Sequence, residues 1–174
     1  IVGMDGANAK INDTFMGAGT FKKIVETIKQ INKWKTKLKK SVPQIEFFFL
    51  LCNKNYTHLP KMIEITHKLK CSKITVTSLK AWDKVPGINE LVLKQKQINE
   101  MQKYVKKASE IAKRLNVSTN VGDLTRGLER DGGDICKFSS LPCFLPWYHM
   151  YIDPFGRVDV CGTSSGCPEK NVES

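Results

Sequence analysis

Apolar positions recur along most of this chain in alternating helical and strand spacings. Phe21, Ile24, Val25, Ile28, Ile31 and Leu38 share one face of a long amphipathic helix, with Thr20 placed to cap it. Pro43 ends that region. Residues 44–51 then form a β-prone apolar run, expected to be buried on both faces as strands of parallel sheets are. Asn53-Lys54-Asn55 stops the run. Thr57 can cap a second helix with Pro60 in its first turn and an apolar face of Leu59, Met62, Ile63, Thr66 and Leu69. Residues 74–79 read as another strand.

After a loop with Pro86 and Gly87, the positions Ile98, Met101, Val105, Ala108, Ile111, Ala112 and Leu115 mark a third helix. Asn116 closes it, and residues 117–121 read as a short strand. Strands alternating with helices, each joined by a few residues, imply right-handed crossovers and a parallel sheet, so the fold class is α/β. From residue 122 to 142 the pattern dissolves into Gly, Asp, Arg and Ser. The expected division is an α/β unit over 1–122, a linker over 123–142 and a cysteine-bearing unit over 143–174.

Composition narrows this reading. The chain has 174 residues and 41% hydrophobic residues, enough for one ordinary core and a small appendage. The longest apolar run, residues 45–52, is interrupted by Glu46 and falls well short of the roughly 18 apolar residues a membrane span needs. No membrane association is expected, and the expected compartment is the cytoplasm. Ile1-Val2-Gly3 already reads as the end of a strand with no basic leader before it, so truncation at the N-terminus is expected.

The net charge of +11, from 28 Lys plus Arg against 17 Asp plus Glu, is mostly lysine. Those lysines fall on the outer faces of the expected helices, at Lys22, Lys23, Lys33, Lys35, Lys37, Lys39 and Lys40 and again at Lys94, Lys96, Lys103, Lys106 and Lys107. A solvated surface accounts for most of them. Arginine is scarce and no aromatic series is interleaved for base stacking, which disfavours nucleic acid as partner and leaves an acidic peptide open.

Of six cysteines, Cys136, Cys143, Cys161 and Cys167 crowd into the last part of the chain, a clustering that favours metal ligation over scattered disulfides. Cys52 and Cys71 lie apart and are expected to be small buried residues. Asp153-Pro154-Phe155-Gly156 fits a type I turn, and the flanking stretches predict a hairpin that folds Cys161 back towards Cys143, with 17 residues between the two. Cys136 could add a third thiolate, and Cys167 is the weakest candidate because the Gly-Thr-Ser-Ser-Gly run before it is expected from its composition to be flexible. Spacing alone leaves a [4Fe-4S] cluster and zinc equally open. His58 and His67 are expected at the surface, and His149 lies in the hairpin.

Cys143, twelve residues, Gly156, four residues and Cys161 resemble the opening signature of SPASM and twitch domains, which carry auxiliary iron-sulfur clusters in radical S-adenosylmethionine enzymes. Residues 2–8 and 17–24 resemble the fourth strand, loop and helix of the barrel of that family; residues 51–55 are similar to its next unit and residues 74–79 to its sixth strand. The resemblance implies that residues 1–122 are the C-terminal half of a partial (β/α) barrel and residues 143–174 the start of a SPASM domain. It implies reductive cleavage of S-adenosylmethionine and hydrogen abstraction from a substrate, a peptide or protein side chain in many relatives, with ferredoxin or flavodoxin as electron donor.

On that resemblance Asp5, Asn53 and Ser78 are the candidate cofactor-pocket residues, and Cys136, Cys143, Cys161 and Cys167 the candidate ligands of an auxiliary [4Fe-4S] cluster. Each pocket candidate has an ordinary reading too: Asp5 in a strand-ending turn, Asn53 as a strand stop, Ser78 as a pleat residue. Gly3 stands where many relatives have Ser, and Met16 where many have Arg. No C-x3-C-x2-C is present in this sequence, so a second [4Fe-4S] cluster and S-adenosylmethionine itself belong to an expected longer parent, and no catalytic residue is assigned here. The rival reading is a non-catalytic α/β module with a structural Cys-zinc site that binds an acidic partner.

Overall fold

A computed structural model describes residues 1–79, 86–124, 147, 150–152 and 154–159. Strand β1 (Val2–Gly3) leads through helices α1 (Ala9–Met16) and α2 (Thr20–Lys37) to β2 (Glu46–Leu51). Helix α3 (Leu59–Lys68) leads to β3 (Lys73–Ser78), and α4 (Gln95–Leu115) to β4 (Ser118–Thr119). The four strands form a parallel sheet in the order β1-β2-β3-β4, with Phe47 opposite Val2 and Ile74, and Leu51 opposite Ser78. The α/β class and the parallel sheet therefore stand.

Sequential order has a geometric consequence. Right-handed crossovers that always advance in one direction deliver every helix to the same side of the sheet. Burial agrees: Phe47, Phe49, Leu51, Ile74 and Val76 face the helices and are at most 1% exposed, whereas Phe48, on the alternate face of β2, is 37% exposed. The expectation of burial on both faces of β2 is thus corrected, because in the described structure only one face carries helices. The core joins those strand residues to Met4, Ile28 of α2, Leu59, Met62 and Ile63 of α3, and Met101 and Ala108 of α4. Each large apolar side chain so buried contributes about 1.5–3 kcal/mol.

Helix ends depart from local expectation in instructive ways. Thr20 does not cap α2; its hydroxyl donates to the Met16 carbonyl at 2.9 Å. Asp13, in the last turns of α1, supplies the cap instead, accepting from Gly19 N–H and Phe21 N–H at 2.8 Å each. An anionic acceptor at the positive end of a helix macrodipole is favourable. Thr57 lies inside a short 3-10 turn, Tyr56–His58, and makes no cap, so α3 starts after His58. Leu38 falls beyond the last turn of α2 and is exposed. Asn116 closes α4 in the left-handed conformation, φ 52°, as the sequence predicts.

The cysteine-bearing stretch is described only in part. Tyr151–Ile152 (β5) and Val158–Asp159 (β6) pair antiparallel, with Gly156 at φ 80° between them. That positive φ suits glycine at the end of a hairpin loop. Cys136, Cys143, His149, Cys161 and Cys167 lie outside the described residues.

Candidate functional site

Parallel sheets bind ligands beyond the carboxyl ends of their strands, where the backbone runs out of partners and loops diverge. At that end of this sheet lies a crevice of about 460 Å³, lined by Asp5 just after β1, Leu50 of β2 and Cys52 just after it, Leu79 after β3, Phe15 of α1 and residues 86–88, 90 and 91. Its size is within the range of small-molecule sites. Apolar side chains dominate the walls, and Asp5 and Glu90 are the charged residues among those lining it.

Three asparagines build this end of the sheet by extending the ladder with side chains. A carboxamide carries a donor and an acceptor with the spacing of a peptide group, so it can take the place of a missing strand. Asn55, fully buried, accepts from Cys52 N–H at 2.8 Å and donates to the carbonyls of Leu50 at 2.9 Å and Asp5 at 3.0 Å. Asn12, also fully buried, accepts from Asp5 N–H at 3.0 Å. Asn120 accepts from Val76 N–H and donates to Val76 C=O, both at 2.8 Å, prolonging β3 beyond the short β4. The expected strand over 117–121 is therefore reduced to Ser118–Thr119, its last rungs being supplied by a side chain.

Asp5 is held on both sides. Its carbonyl accepts from Asn55, its N–H donates to Asn12, and its Oδ1 accepts from Leu50 N–H at 3.0 Å across to β2. Burial pushes its carboxyl above the ordinary value, and the Leu50 N–H opposes that rise. Burial likewise raises the Cys52 thiol, against the backbone N–H groups of Lys54 and Asn55, so this sulfur is a neutral thiol at neutral pH.

Asn53 and Ser78 reach the same end of the sheet but do not line the crevice. Asn53 fastens one wall: its N–H donates to Leu91 C=O at 2.9 Å, and its side-chain Nδ2 donates to the Glu90 carbonyl. Its Oδ1 is buried and has no hydrogen-bond partner. Ser78 pairs with Leu51 in the ladder, and the next residue donates from Leu79 N–H to Leu51 C=O at 2.7 Å. Cys71 is a buried thiol pushed up to about 11 by desolvation. His58 is half-buried, not at the surface as expected; its Nδ1 has no partner, and burial, then the charge of Lys61, lower its pKa.

Sequence reasoning identified Asp5 but missed Phe15, Leu50, Cys52 and Leu79 as lining residues, and Asn12, Asn55 and Asn120 as supports. One signal was available for Asn55 and Asn120: each stands just past a strand-like run, where a carboxamide can bond to freed backbone. The arrangement suits binding. Asp5 can accept hydroxyl or amine hydrogens against apolar walls, while the described lining residues include no imidazole to act with a nucleophile. No protein family, curated protein or solved structure matches this chain.

Proposed function

We propose that this chain is a sector of a radical S-adenosylmethionine enzyme with an auxiliary iron-sulfur domain, and that the crevice at Asp5 takes the nucleoside part of the cofactor. The observation that carries this is topological. Parallel strands in unbroken sequential order, with their buried faces packed on the helices, are what a sector of a (β/α) barrel would have, whereas the strand order of a doubly wound sheet reverses; this supports the barrel reading. The crevice lies where barrel enzymes place their sites.

The residues present fit that cofactor. A carboxyl group between apolar walls matches ribose hydroxyls beside an adenine ring. Bound and reduced, S-adenosylmethionine supplies the radical that removes a substrate hydrogen. Asp5 would orient the nucleoside, Phe15, Leu50 and Leu79 would exclude water from it, and Asn53 would hold the 88–91 wall in place. The β5–β6 hairpin, with its glycine turn between Cys143 and Cys161, supports the SPASM part of the reading. Cys136, Cys143, Cys161 and Cys167 are the proposed ligands of the auxiliary [4Fe-4S] cluster, and a peptide or protein side chain the proposed substrate class.

The test is anaerobic reconstitution with iron and sulfide, followed by metal analysis and visible absorption. The expected product is a brown protein whose iron and colour are lost in Cys143→Ala and Cys161→Ala. A colourless protein that binds zinc through the same cysteines would overturn the proposal in favour of a non-catalytic module with a structural zinc site.

A further inference from the structure

At the opposite end of the sheet from Asp5, where helices end and strands begin, the last turns of α2 and α3 enclose a groove of about 330 Å³. Lys29 and Lys33 stand on one wall and Lys68 and Lys70 on the other, and among the described residues lining it none is acidic. All four lysines are exposed. The ion pairs among the described residues join Lys22 to Glu26, Lys73 to Glu46 and Lys103 to Glu100, so none engages the groove.

Helix capping does not account for the cluster. Lysines near a helix C-terminus commonly serve its free carbonyls. Here the carbonyls of Ile65, Thr66 and His67 accept from backbone N–H groups, and Leu69 C=O accepts from the side chain of Asn32 at 2.7 Å. That last bond ties α2 to the end of α3 and sets the groove between them. Four ammonium groups with no ion-pair partner among the described residues are thereby gathered at one place, beside the buried Leu69.

We infer that this groove binds an acidic peptide segment, its carboxylates meeting Lys29, Lys33, Lys68 and Lys70. The described lining contains no arginine fork and no aromatic ring for base stacking, which argues against nucleic acid. Trp34, the nearest exposed ring in sequence, is outside the lining and lies under Lys37 at 4.9 Å. Lysines on flexible stems along an open groove suit the adaptable carboxylates of Asp and Glu, and their charge accelerates encounter. The inference does not rest on the cofactor reading of the crevice.

The test is fluorescence anisotropy of a labelled hexaglutamate peptide titrated with the intact chain at low ionic strength. Lys33→Glu/Lys68→Glu should weaken binding at least about tenfold, while the same charge change in α4, Lys106→Glu/Lys107→Glu, should weaken it less than about twofold. Lys33→Gln/Lys68→Gln serves if charge reversal prevents folding by circular dichroism, and should weaken binding in the same direction. On the unaltered chain, amide resonances of residues 29–36 and 68–70 should shift with peptide. Equal weakening by both charge-reversal pairs, absence of peptide binding, shifts confined to α4, or tighter binding of a single-stranded oligonucleotide through the same lysines would each overturn it.

Discussion

The Asn55 side-chain amide donates to the Asp5 carbonyl at 3.0 Å, joining residues 50 positions apart and locking the end of β1 to the end of β2. The same amide group bonds to Leu50 C=O and Cys52 N–H, so one buried carboxamide satisfies three backbone groups at the rim of the crevice. A buried polar side chain of this kind is costly unless fully paired, and strongly stabilising to its neighbours once it is.

Replacing it should therefore be severe. Asn55→Ala leaves those three backbone groups without their partner and is expected to cost about 2–4 kcal/mol. Asn55→Asp keeps the acceptor for Cys52 N–H but sets a carboxylate against two carbonyls, and should be at least as damaging. Urea denaturation measures both; a loss in Asn55→Ala below about 0.5 kcal/mol, the level of an ordinary surface change, would refute the role.

Asp5 separates charge from hydrogen bonding. Its folded pKa lies above the unfolded value of 3.8, so the stability tied to its proton is full below that value and is lost as pH rises through the folded pKa. Asp5→Asn retains an acceptor for Leu50 N–H and lacks this dependence. Its stability relative to the parent should grow from acid to neutral pH. Asp5→Ala should instead lose about 1–3 kcal/mol by orphaning that N–H. Thermal melts across the acid range distinguish the two, and a pH-independent gap between parent and Asp5→Asn would contradict the shift.

Asp13 has the opposite sign. Its two backbone donors, Phe21 N–H foremost, hold its carboxyl below the ordinary value, so the stability it lends to α2 is present above 3.8 and is lost as pH falls through the folded pKa. Asp13→Ala should lower the melting temperature at neutral pH, and the difference from the parent should close in strong acid. A constant difference down to that range would show that the cap acts without its charge.

Gly6 is required by proximity. A Cβ there would sit 2.5 Å from Asn12 N and 2.8 Å from Ile11 Cγ2, where α1 begins against the end of β1. Gly6→Ala should cost about 1–3 kcal/mol through displaced backbone. Gly122→Ala, where nothing lies within 4 Å, is the control and should be near neutral in the same denaturation assay.

The elements that were legible in the sequence are those whose signal is local. Met62, Ile63, Met101 and Ala108 recur at helical spacing and are fully buried, and Asn116 ends α4 where its residue type suggests. Helix α1 was not legible: over Ala9–Met16 only Asn12 is buried, so no apolar stripe announces it. The caps at Thr20 and Thr57 were misread because a hydroxyl before a helix is a local cue, whereas the acceptor that caps α2 comes from Asp13 in the preceding helix. At the site, Asp5 was visible as the polar end of a strand, but the walls that meet it come from four separate segments.

What the amino-acid order decided unaided is the alternation of strands with α2, α3 and α4 and the face each of those helices buries, because those periodicities follow from backbone geometry over a few residues. Strand order decided the rest. Once β1, β2, β3 and β4 lie side by side, Asn55 meets Asp5, Asn120 meets Val76 and Asn32 meets Leu69, across separations of 50, 44 and 37 residues. No local pattern encodes such pairings; they arise because polar groups brought into a dry interior must find partners among whatever the packing sets beside them.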